Sequence, residues 1–160
     1  MSYSIIAAVG KNNELGKNND LIWHIKEDLQ FFKNVTTGKT VIMGQNTFYS
    51  LPKMLPNRHH VVLSENNNFP PEVEVYHDLE SLREYYDKVN EELFIIGGAY
   101  VYKQFVPLSD KFYLTEIDAT CEDASVYFPL FNKEDYEYTE LSSFLDNNPP
   151  YKHVLYKRKK

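Results

Sequence analysis

Two patterns of apolar residues occur along the chain, short continuous runs and spaced repeats. Short runs bounded by polar or turn residues are typical of buried strands. They occur at residues 4–9, 41–43, 61–63, 73–76 and 93–96. Apolar residues three or four positions apart are typical of helices that face a core. This spacing, with glycine before and proline after the shorter segments, predicts helices at residues 25–35, 46–51, 79–89 and 99–105.

Strands alone are predicted for the C-terminal part of the chain. Residues 111–117 alternate between apolar and polar positions, and residues 136–141 and 151–157 indicate two paired strands around Pro149 and Pro150. Alternating strands and helices favour a mainly parallel sheet that is covered by helices on both faces. We therefore predict an α/β fold, a single domain over residues 1–160, with a C-terminal antiparallel strand pair.

Residues 10–20, between the first strand and the first helix, are polar and rich in Asn and Gly. This composition predicts a long loop. Long loops in compact domains are often functional. We therefore expect this segment to lie near a site, the alternative being a plain connector.

Composition limits the classes of function. With 160 residues, 42% of them apolar, the chain can bury the core of one domain. Its net charge of −6 argues against general nucleic-acid binding, and we interpret the basic residues 157–160 as a solvated end. Cys121 is the only cysteine, which excludes an internal disulfide and fits the cytoplasm. No apolar run reaches the roughly 18 residues of a membrane span, and we expect a strand at the N-terminus and not a signal peptide.

Asp28 is the strongest candidate for a functional side chain. It lies near the start of the first predicted helix, on the same inward face as Leu29, Phe32 and Val35. Burying a carboxylate beside apolar residues costs free energy unless it has a partner or a function. In an apolar pocket it can bind a flat, nitrogen-rich ring and manage a proton. The alternative is that Asp28 caps the helix, where the macrodipole favours negative charge; the adjacent Glu27 is available as the solvent-facing acid.

Two predicted turns lead from a strand into a helix through glycine. They are Met43-Gly44-Gln45-Asn46-Thr47 and Ile96-Gly97-Gly98-Ala99-Tyr100-Val101-Tyr102. Glycine lets the backbone approach a ligand, and a helix N-terminus offers free N–H groups. Two such turns at the carboxyl ends of parallel strands predict a site for a dinucleotide pyrophosphate. Neither turn carries a complete nucleotide-binding motif, so a plain tight turn is the alternative for each.

Other chemistries lack a supporting pattern. No second carboxylate is spaced to form a glycosidase pair, and no Ser-His-Asp set or His/Cys ligand cluster is apparent. His59 and His60 are adjacent in a predicted strand, so they should point to opposite faces. His24, His77 and His153 are scattered along the chain. We therefore predict no metal site.

Taken together, the motifs match a known family. They are Leu21-Ile22-Trp23, Asp28-Leu29-Gln30-Phe31-Phe32-Lys33, Val41-Ile42-Met43-Gly44, Asn46-Thr47, Leu55-Pro56-Asn57-Arg58, Val62-Leu63-Ser64, Ile95-Ile96-Gly97-Gly98-Ala99, Val101-Tyr102 and Tyr113-Leu114-Thr115. From Tyr3 to the end of the chain, their order resembles that of dihydrofolate reductases. The resemblance implies an enzyme that reduces 7,8-dihydrofolate to 5,6,7,8-tetrahydrofolate with NADPH, supplying one-carbon and thymidylate metabolism. It also implies a cytoplasmic monomer that binds dihydrofolate and antifolate inhibitors, with no nucleic-acid or membrane partner.

The resemblance implies roles for the substrate side of the site. Asp28 would bind the pterin 2-amino group and N3, Thr115 would support this acid, and Trp23 would hold a water near it. Water would deliver the proton to N5, because the acid lies too far from N5 for direct transfer. Arg58 would bind the α-carboxylate of the glutamate tail, a bidentate contact that suits guanidinium. The other residues implied in substrate binding are Ile6 and Ile96, through their carbonyls, and Ala8, Leu29, Phe32, Leu51, Lys53 and Leu55.

The resemblance also implies a cofactor site on both glycine turns. Gly97-Gly98 matches the pair that the family joins by a cis peptide bond, and residues 14–21 match its lid. Tyr102 would sit near the nicotinamide, where its oxygen dipole favours developing positive charge, and would join Asp28, Trp23 and Thr115 as a catalytic residue. The residues implied in cofactor binding are Ala8, Leu15, Gly16, Leu21, Gly44, Gln45, Asn46, Thr47, Leu63, Ser64, Glu65, His77, Ile96, Gly97, Gly98, Ala99, Tyr100, Val101 and Tyr102.

Three cofactor-side positions depart from the family pattern. Gln45, Glu65 and Tyr100 stand where basic or other polar residues are usual. Because these cations would contact the cofactor phosphates, their absence predicts a weaker preference for NADPH over NADH than is usual. A protonated His77 could supply one compensating charge.

The lid departs from the family pattern as well. Ile22 replaces the proline that usually precedes the tryptophan, which loosens the backbone of the lid. Ser125 or Asp123 occupies the region of an acid that usually hydrogen-bonds the lid. Both changes predict a less favoured closed state.

Two other functions compete with this prediction. One is a reductase of the same fold that acts on a pyrimidine or pterin, such as the riboflavin-pathway reductase. It should lack the pair Trp23 and Asp28 and also Arg58, because its substrate has no glutamate tail. The other is a pterin or dinucleotide binder that does not oxidise NADPH.

Overall fold

The computed structural model of the chain describes residues 2–17, 20–23 and 25–159. The strands are β1 (Ser2–Val9), β2 (Glu14–Lys17), β3 (Asp20–Leu21), β4 (Thr40–Gly44), β5 (His59–Leu63), β6 (Glu74–Tyr76), β7 (Glu92–Ile95), β8 (Ser109–Ile117), β9 (Val126–Tyr127), β10 (Tyr136–Phe144) and β11 (Tyr151–Arg158). The helices are α1 (Lys26–Thr36), α2 (Gln45–Ser50), α3 (Leu79–Tyr86) and α4 (Ala99–Phe105), with short 3₁₀ turns at Val106–Leu108 and Lys133–Asp135. None of the helices in these ranges is long and apolar enough to cross a membrane.

Eight strands form a central sheet in the order β10-β11-β8-β1-β7-β4-β5-β6. The pairs from β8 to β6 are parallel, whereas β11 pairs antiparallel with both β8 and β10. Side chains of α1 and α2 pack on one face of the sheet, and those of α3 and α4 pack on the other. The predicted α/β architecture, with its C-terminal antiparallel strand pair, is confirmed.

Alternation along the strands divides the core into two layers. In β1, Ile5 belongs to the cluster under α3 and α4, whereas Ile6 belongs to the cluster under α1 and α2. Neighbouring side chains of a strand point to opposite faces of its sheet, so a strand buried on both faces needs a continuous apolar run. The sequence pattern therefore locates these strands well.

The predicted loop at residues 10–20 is wrong in part. Strands β2 and β3 form a hairpin there, and β2 also pairs antiparallel with β9 to give a second, three-stranded sheet. These strands are short and polar, and β9 lies far away in the sequence. Since the pairing partner stabilises such a strand, the local composition does not reveal it.

The predicted inward face of α1 is wrong for one residue. Leu29 is 54% exposed, whereas Phe31, Phe32 and Val35 pack against the core and Thr36 is buried. Successive residues of a helix are separated by about 100° of rotation. Leu29 therefore falls at the margin of the face that contains Asp28, and the helix turns it toward solvent.

Candidate active site

Asp28 lies in the first turn of α1, and its carboxylate faces the sheet. Its Oδ1 accepts a hydrogen bond from the hydroxyl of Thr115 on β8 and lies 3.2 Å from Nε2 of His153 on β11. The side chain of Asp28 is 20% exposed and that of His153 only 3%. Ile25 occupies the N-cap position of α1, and no side chain caps the helix there. The carboxylate therefore contacts the sheet, and the capping alternative is wrong.

The register of the sheet brings these groups together. Thr115 pairs with Ala8 of β1 on one side and with His153 of β11 on the other, and His153 pairs with Ser142 of β10. Residues that pair directly across strands lie on the same face. These four side chains therefore form a row, and Phe31 of α1 packs over it, stacked on the ring of His153 with 3.9 Å between ring centroids.

His153 on β11 connects Asp28 to a serine of β10. Its Nδ1 lies 3.1 Å from Oγ of Ser142, so Ser142, His153 and Asp28 are connected. The contacts run in the reverse order of a hydrolytic triad, because Nδ1 faces the serine and Nε2 faces the acid. The available sequence signal is weak: alternation along the predicted strand places His153 and Tyr151 on one face.

Three residues predicted to line the substrate slot form one apolar wall. Phe32, Leu51 and Leu55 are half-buried and pack against the same core cluster under α1 and α2. Leu29 and Lys53, also predicted to bind substrate, are exposed and lie outside this cluster. The wall provides an apolar surface suited to aromatic rings.

Arg58 lies beside this wall. Its Nε donates to the carbonyl oxygen of Pro56 at 3.1 Å, and its Nη1 lies 3.5 Å from Oγ1 of Thr36. The guanidinium carbon is 5.9 Å from the centroid of the Phe32 ring. Burial lowers the pKa of Arg58 from its ordinary value, yet that ordinary value is so high that the group stays cationic. A cation held at the end of an apolar wall suits a carboxylate-bearing tail.

Trp23 is half-buried and packs in the same cluster as Ala8, the β1 member of the row. Together with Ala8, it lies against the buried cluster of Ile25, Ile117 and Tyr151. This packing gives the indole a defined position near the start of α1. Its role in holding a water stays a prediction.

Two glycine turns meet at the carboxyl ends of β4 and β7. The amide of Gly44 donates to the carbonyl oxygen of Gly97 at 2.9 Å. The Gly97-Gly98 peptide bond is cis, as predicted, and Gly97 has a φ of 126°. A Cβ added at Gly97 would lie 3.3 Å from Oγ1 of Thr47 and 3.4 Å from the hydroxyl oxygen of Tyr102. The backbone therefore forms a cradle that a side chain would fill, and it fits a nucleotide cofactor.

Tyr102 connects this cradle to the first strand. It is buried, and its hydroxyl donates to the carbonyl oxygen of Ile6 at 2.8 Å. Burial raises the pKa of Tyr102 well above its usual range, and the negative charge of Asp28 adds to this effect. The phenol therefore stays protonated as a donor at neutral pH.

Polar side chains form the far end of the predicted cofactor site. Oε1 of Gln45 accepts from the hydroxyl of Ser64 and from Nδ2 of Asn66, the latter at 2.8 Å. Asn66, which was not predicted, joins the site through the turn after β5. Four other predicted cofactor residues are exposed: Asn46, Glu65, His77 and Tyr100. The rest of those near the two turns are buried or half-buried: Leu63, Ile96, Ala99 and Val101.

Comparisons with known proteins identify the family. A family model described as dihydrofolate reductase matches residues 2–160. The dihydrofolate reductase of Haemophilus influenzae is 39% identical over 137 residues, which cover 86% of this chain and 84% of that protein. The Bacillus subtilis dihydrofolate reductase is 34% identical over 161 residues, covering 98% and 94%. A solved structure of the Enterococcus faecalis dihydrofolate reductase complexed with NADP(H) and RAB-propyl has a TM-score of 0.86 and 30% identity, covering 99% of this chain and 97% of that one.

The chain belongs to the dihydrofolate reductase family. The predictions of family, fold class, enzyme class and NADPH as cofactor are thereby confirmed. The roles of individual site residues stay predictions, and the geometry above shows which of them lie together.

The segment predicted to form the lid begins at a buried acid, Glu14. The carboxylate of Glu14 accepts from the backbone amides of Cys121 at 2.7 Å and Asn12 at 2.8 Å. Burial raises the pKa of Glu14, but these hydrogen bonds together outweigh burial and hold it below its ordinary value. The amide of Ser125 donates to the carbonyl oxygen of Gly16 at 3.0 Å. Sequence patterns gave no signal for Glu14, and the looser lid stays a prediction.

Part of the predicted lid lies outside the residues that the structure describes. Leu15 is half-buried against the core, but the side chain of Leu21 and residues 18 and 19 of the predicted lid lie outside the described part of the chain. His24 also lies outside it. Among the residues that the structure describes, no group of three or more His, Cys, Asp or Glu could hold a metal ion.

Proposed function

We propose that this enzyme reduces 7,8-dihydrofolate to 5,6,7,8-tetrahydrofolate with NADPH and that Asp28 binds the pterin. The half-buried Asp28 carboxylate, with Oδ1 held by Thr115 and His153, carries this proposal. Among the described residues, no hydrogen-bond donor reaches its Oδ2. A carboxylate oxygen accepts strong hydrogen bonds from N–H groups. Oδ2 is therefore available to the 2-amino group and N3 of a pterin.

The residues around Asp28 orient the substrate and manage its proton. NADPH, when bound on the two glycine turns, supplies the hydride. The negative charge of Asp28 favours proton uptake by the pterin, and water carries the proton to N5. Trp23 holds that water, while Phe32 and the rest of the apolar wall exclude bulk solvent from the ring.

Tyr102 acts at the end of the site next to the glycine turns. Its hydroxyl is held by the carbonyl oxygen of Ile6 and lies close to Gly97. The phenol oxygen is a fixed dipole, and it stabilises positive charge that develops beside it. This is an electrostatic role, since the phenol stays protonated.

Oxidation of NADPH in the presence of dihydrofolate tests the proposed function. We expect the absorbance of NADPH to fall only when the chain and dihydrofolate are both present. A chain that binds both ligands without oxidising NADPH would be the non-catalytic binder. Turnover of a pyrimidine substrate of the riboflavin pathway, but not of dihydrofolate, would instead identify the reductase of that pathway.

Arg58 should contribute to substrate binding and little to chemistry. We expect Arg58→Gln to raise the KM for dihydrofolate about tenfold, the effect of one charge-assisted contact, with kcat changed little. Steady-state kinetics with dihydrofolate and with a dihydropterin that lacks the glutamate tail measure this effect.

Two controls separate tail binding from damage to the fold. The tail-free dihydropterin should show the same KM with both enzymes, because it has no carboxylate to lose. Arg83→Gln removes an arginine of α3 that is paired with Asp87, and it should leave both KM values unchanged. An equal rise in KM for both substrates in Arg58→Gln would refute the assigned role.

Gln45 should limit the preference for NADPH. We expect Gln45→Arg to raise the NADPH-to-NADH ratio of kcat/KM about tenfold, because a guanidinium pairs with the 2′-phosphate. Ratios for the parent and the variant measure this effect. Gln30→Arg makes the same substitution on the exposed surface of α1 and should leave the ratio unchanged. A parent ratio in the range of several thousand, or no response to Gln45→Arg, would count against the prediction.

The monomeric state and the cytoplasmic location belong to the same proposal. A single cysteine, Cys121, fits a reducing compartment. Sedimentation equilibrium of the parent chain measures its oligomeric state. The expected small-molecule partners are dihydrofolate and antifolate inhibitors, and competition between them for Asp28 would show that they share one site.

A further inference from the structure

We propose that His153 is a positioning residue for Asp28. In this assignment Nε2–H of His153 donates to Oδ1 of Asp28 and fixes the carboxylate so that Oδ2 faces the ligand. The inference rests on the proposed role of Asp28 in binding the pterin. In this assignment His153 acts on the ligand through Asp28.

The imidazole of His153 is held on every side that the structure describes. Nε2 lies 3.2 Å from Oδ1 of Asp28, and Nδ1 lies 3.1 Å from Oγ of Ser142. One ring face stacks on Phe31, with 3.9 Å between centroids and 9° between planes. The ring of Phe144 packs edge-on at 5.6 Å between centroids. A ring held in this way can fix the position of the group that it contacts.

The partners of the ring determine which nitrogen carries the proton. A neutral imidazole has one donor and one acceptor nitrogen, whereas an ionised carboxylate only accepts. Nε2 therefore carries the hydrogen toward Asp28, and Nδ1 accepts from the hydroxyl of Ser142. The hydrogen bonds therefore run in one direction, from Ser142 through His153 to Asp28. Thr115 on β8 donates to the same carboxylate.

Both protein donors meet the same carboxylate oxygen. An oxygen of a carboxylate accepts about two hydrogen bonds, so Thr115 and His153 together occupy Oδ1. Rotation of the carboxylate of Asp28 would break both bonds. The row of side chains across β8, β11 and β10 therefore selects one orientation of the acid, with Oδ2 left for the ligand.

The serine at the far end of this row does not act as a nucleophile. In a hydrolytic triad the serine gives its proton to Nε2, and the acid holds Nδ1. In this structure the acid contacts Nε2, and Ser142 contacts Nδ1. Ser142 serves to hold the tautomer of His153, and the reactive end of the row is Asp28.

Two substitutions separate hydrogen bonding from packing. His153→Phe keeps an aromatic ring on Phe31 but removes the donor to Asp28. His153→Gln gives up the stacked ring but places an amide N–H near the position of Nε2. We expect the dissociation constant of folate to rise about tenfold in His153→Phe, the effect of one hydrogen bond to a charged group, and to stay within about threefold of the parent in His153→Gln.

Stability should follow the opposite order. His153→Phe should keep a melting temperature near that of the parent, whereas His153→Gln should melt lower because it loses the contact with Phe31. Quenching of the fluorescence of Trp23, the only tryptophan, measures folate binding, and circular dichroism measures melting. If His153 only filled space, the variant with the lower melting temperature, His153→Gln, would also bind folate more weakly.

The protonated nitrogen can be observed directly. Two-bond ¹H–¹⁵N spectra of the histidine-labelled parent should show hydrogen on Nε2 and none on Nδ1 of His153 at neutral pH. Ser142→Ala should allow the second tautomer to appear, because Nδ1 loses its donor. Hydrogen on Nδ1 and none on Nε2 in the parent would overturn the proposal.

The binding results discriminate among the outcomes. Parental folate affinity in His153→Phe, or equal losses in both variants, would overturn the positioning role while leaving the proposed function in place. Failure of the parent to bind folate at all would overturn the proposed role of Asp28 itself, and the inference with it.

Discussion

We expect Asp28→Asn to lower kcat at neutral pH by at least about a hundredfold, the usual contribution of a group that controls proton transfer. Asparagine keeps the size of the side chain and can still accept hydrogen bonds from Thr115 and His153. It lacks the negative charge that favours protonation of the pterin. The loss should become smaller in acid, where the substrate arrives protonated from solvent. Profiles of kcat against pH for the parent and the variant measure both effects.

Glu27→Gln provides a matched control for this substitution. Glu27 precedes Asp28 in the same turn of α1, is exposed, and loses the same charge in its amide variant. Its kcat and pH profile should match those of the parent within about twofold, because exposed charges contribute little. A profile for Asp28→Asn with unchanged shape would remove Asp28 from its role in proton delivery.

Gly97→Ala should lower kcat/KM for NADPH about a hundredfold. Gly97 has a φ of 126°, which residues with a Cβ rarely adopt. The added methyl would also lie 3.3 Å from Oγ1 of Thr47 and 3.4 Å from the hydroxyl oxygen of Tyr102. Either the turn or these side chains must shift, and small displacements at a site of hydride transfer cost a large factor in rate. Steady-state kinetics and titration with NADPH measure the loss.

Gly38→Ala is a control that adds a side chain at a positive φ without crowding the glycine turns of the cofactor site. Gly38 also has a positive φ, 80°, but an added Cβ would meet nothing within 4 Å. This variant should lose about 1–2 kcal/mol of unfolding free energy, the cost of a side chain in the left-handed region, and keep full activity. An equal loss of activity in Gly38→Ala and Gly97→Ala would show that the effect is one of stability.

Gly44→Ala tests the other glycine turn if Gly97→Ala does not fold. Gly44 has an ordinary negative φ of −83°, and its added Cβ would lie 3.1 Å from Cγ2 of Val101. We expect this variant to fold and to bind NADPH more weakly than the parent. Parental affinity for NADPH in every glycine variant that folds would contradict the assigned cofactor site.

The local pattern of apolar residues predicts most of the fold, because residues that are buried in the sheet and helices are mostly apolar. A strand such as β1 or β4 is buried on both faces, so its sequence is a continuous apolar run. Strands β2 and β3 of the small second sheet have no such run. Their stability comes from pairing with each other and with β9, which local composition does not record.

The candidate site divides in the same way. Asp28 was visible in the sequence because a carboxylate on an apolar face of a helix is costly. Gly97 was visible because glycine between a strand and a helix marks a close backbone approach. His153, Ser142 and Asn66 carry no local signal of this kind. They belong to the site because strand register and a turn place them against residues that are remote in the sequence.

Local sequence is enough to predict the order of the elements, the buried strands, the acid on the first helix and the two glycine turns, because each depends on the character of neighbouring residues. The folded chain is needed to show which oxygen of Asp28 is held, which histidine holds it and that Leu29 faces solvent. These depend on register and on helix rotation about its axis. A shift of one residue in β11 would move His153 to the other face of the sheet, with no change in composition.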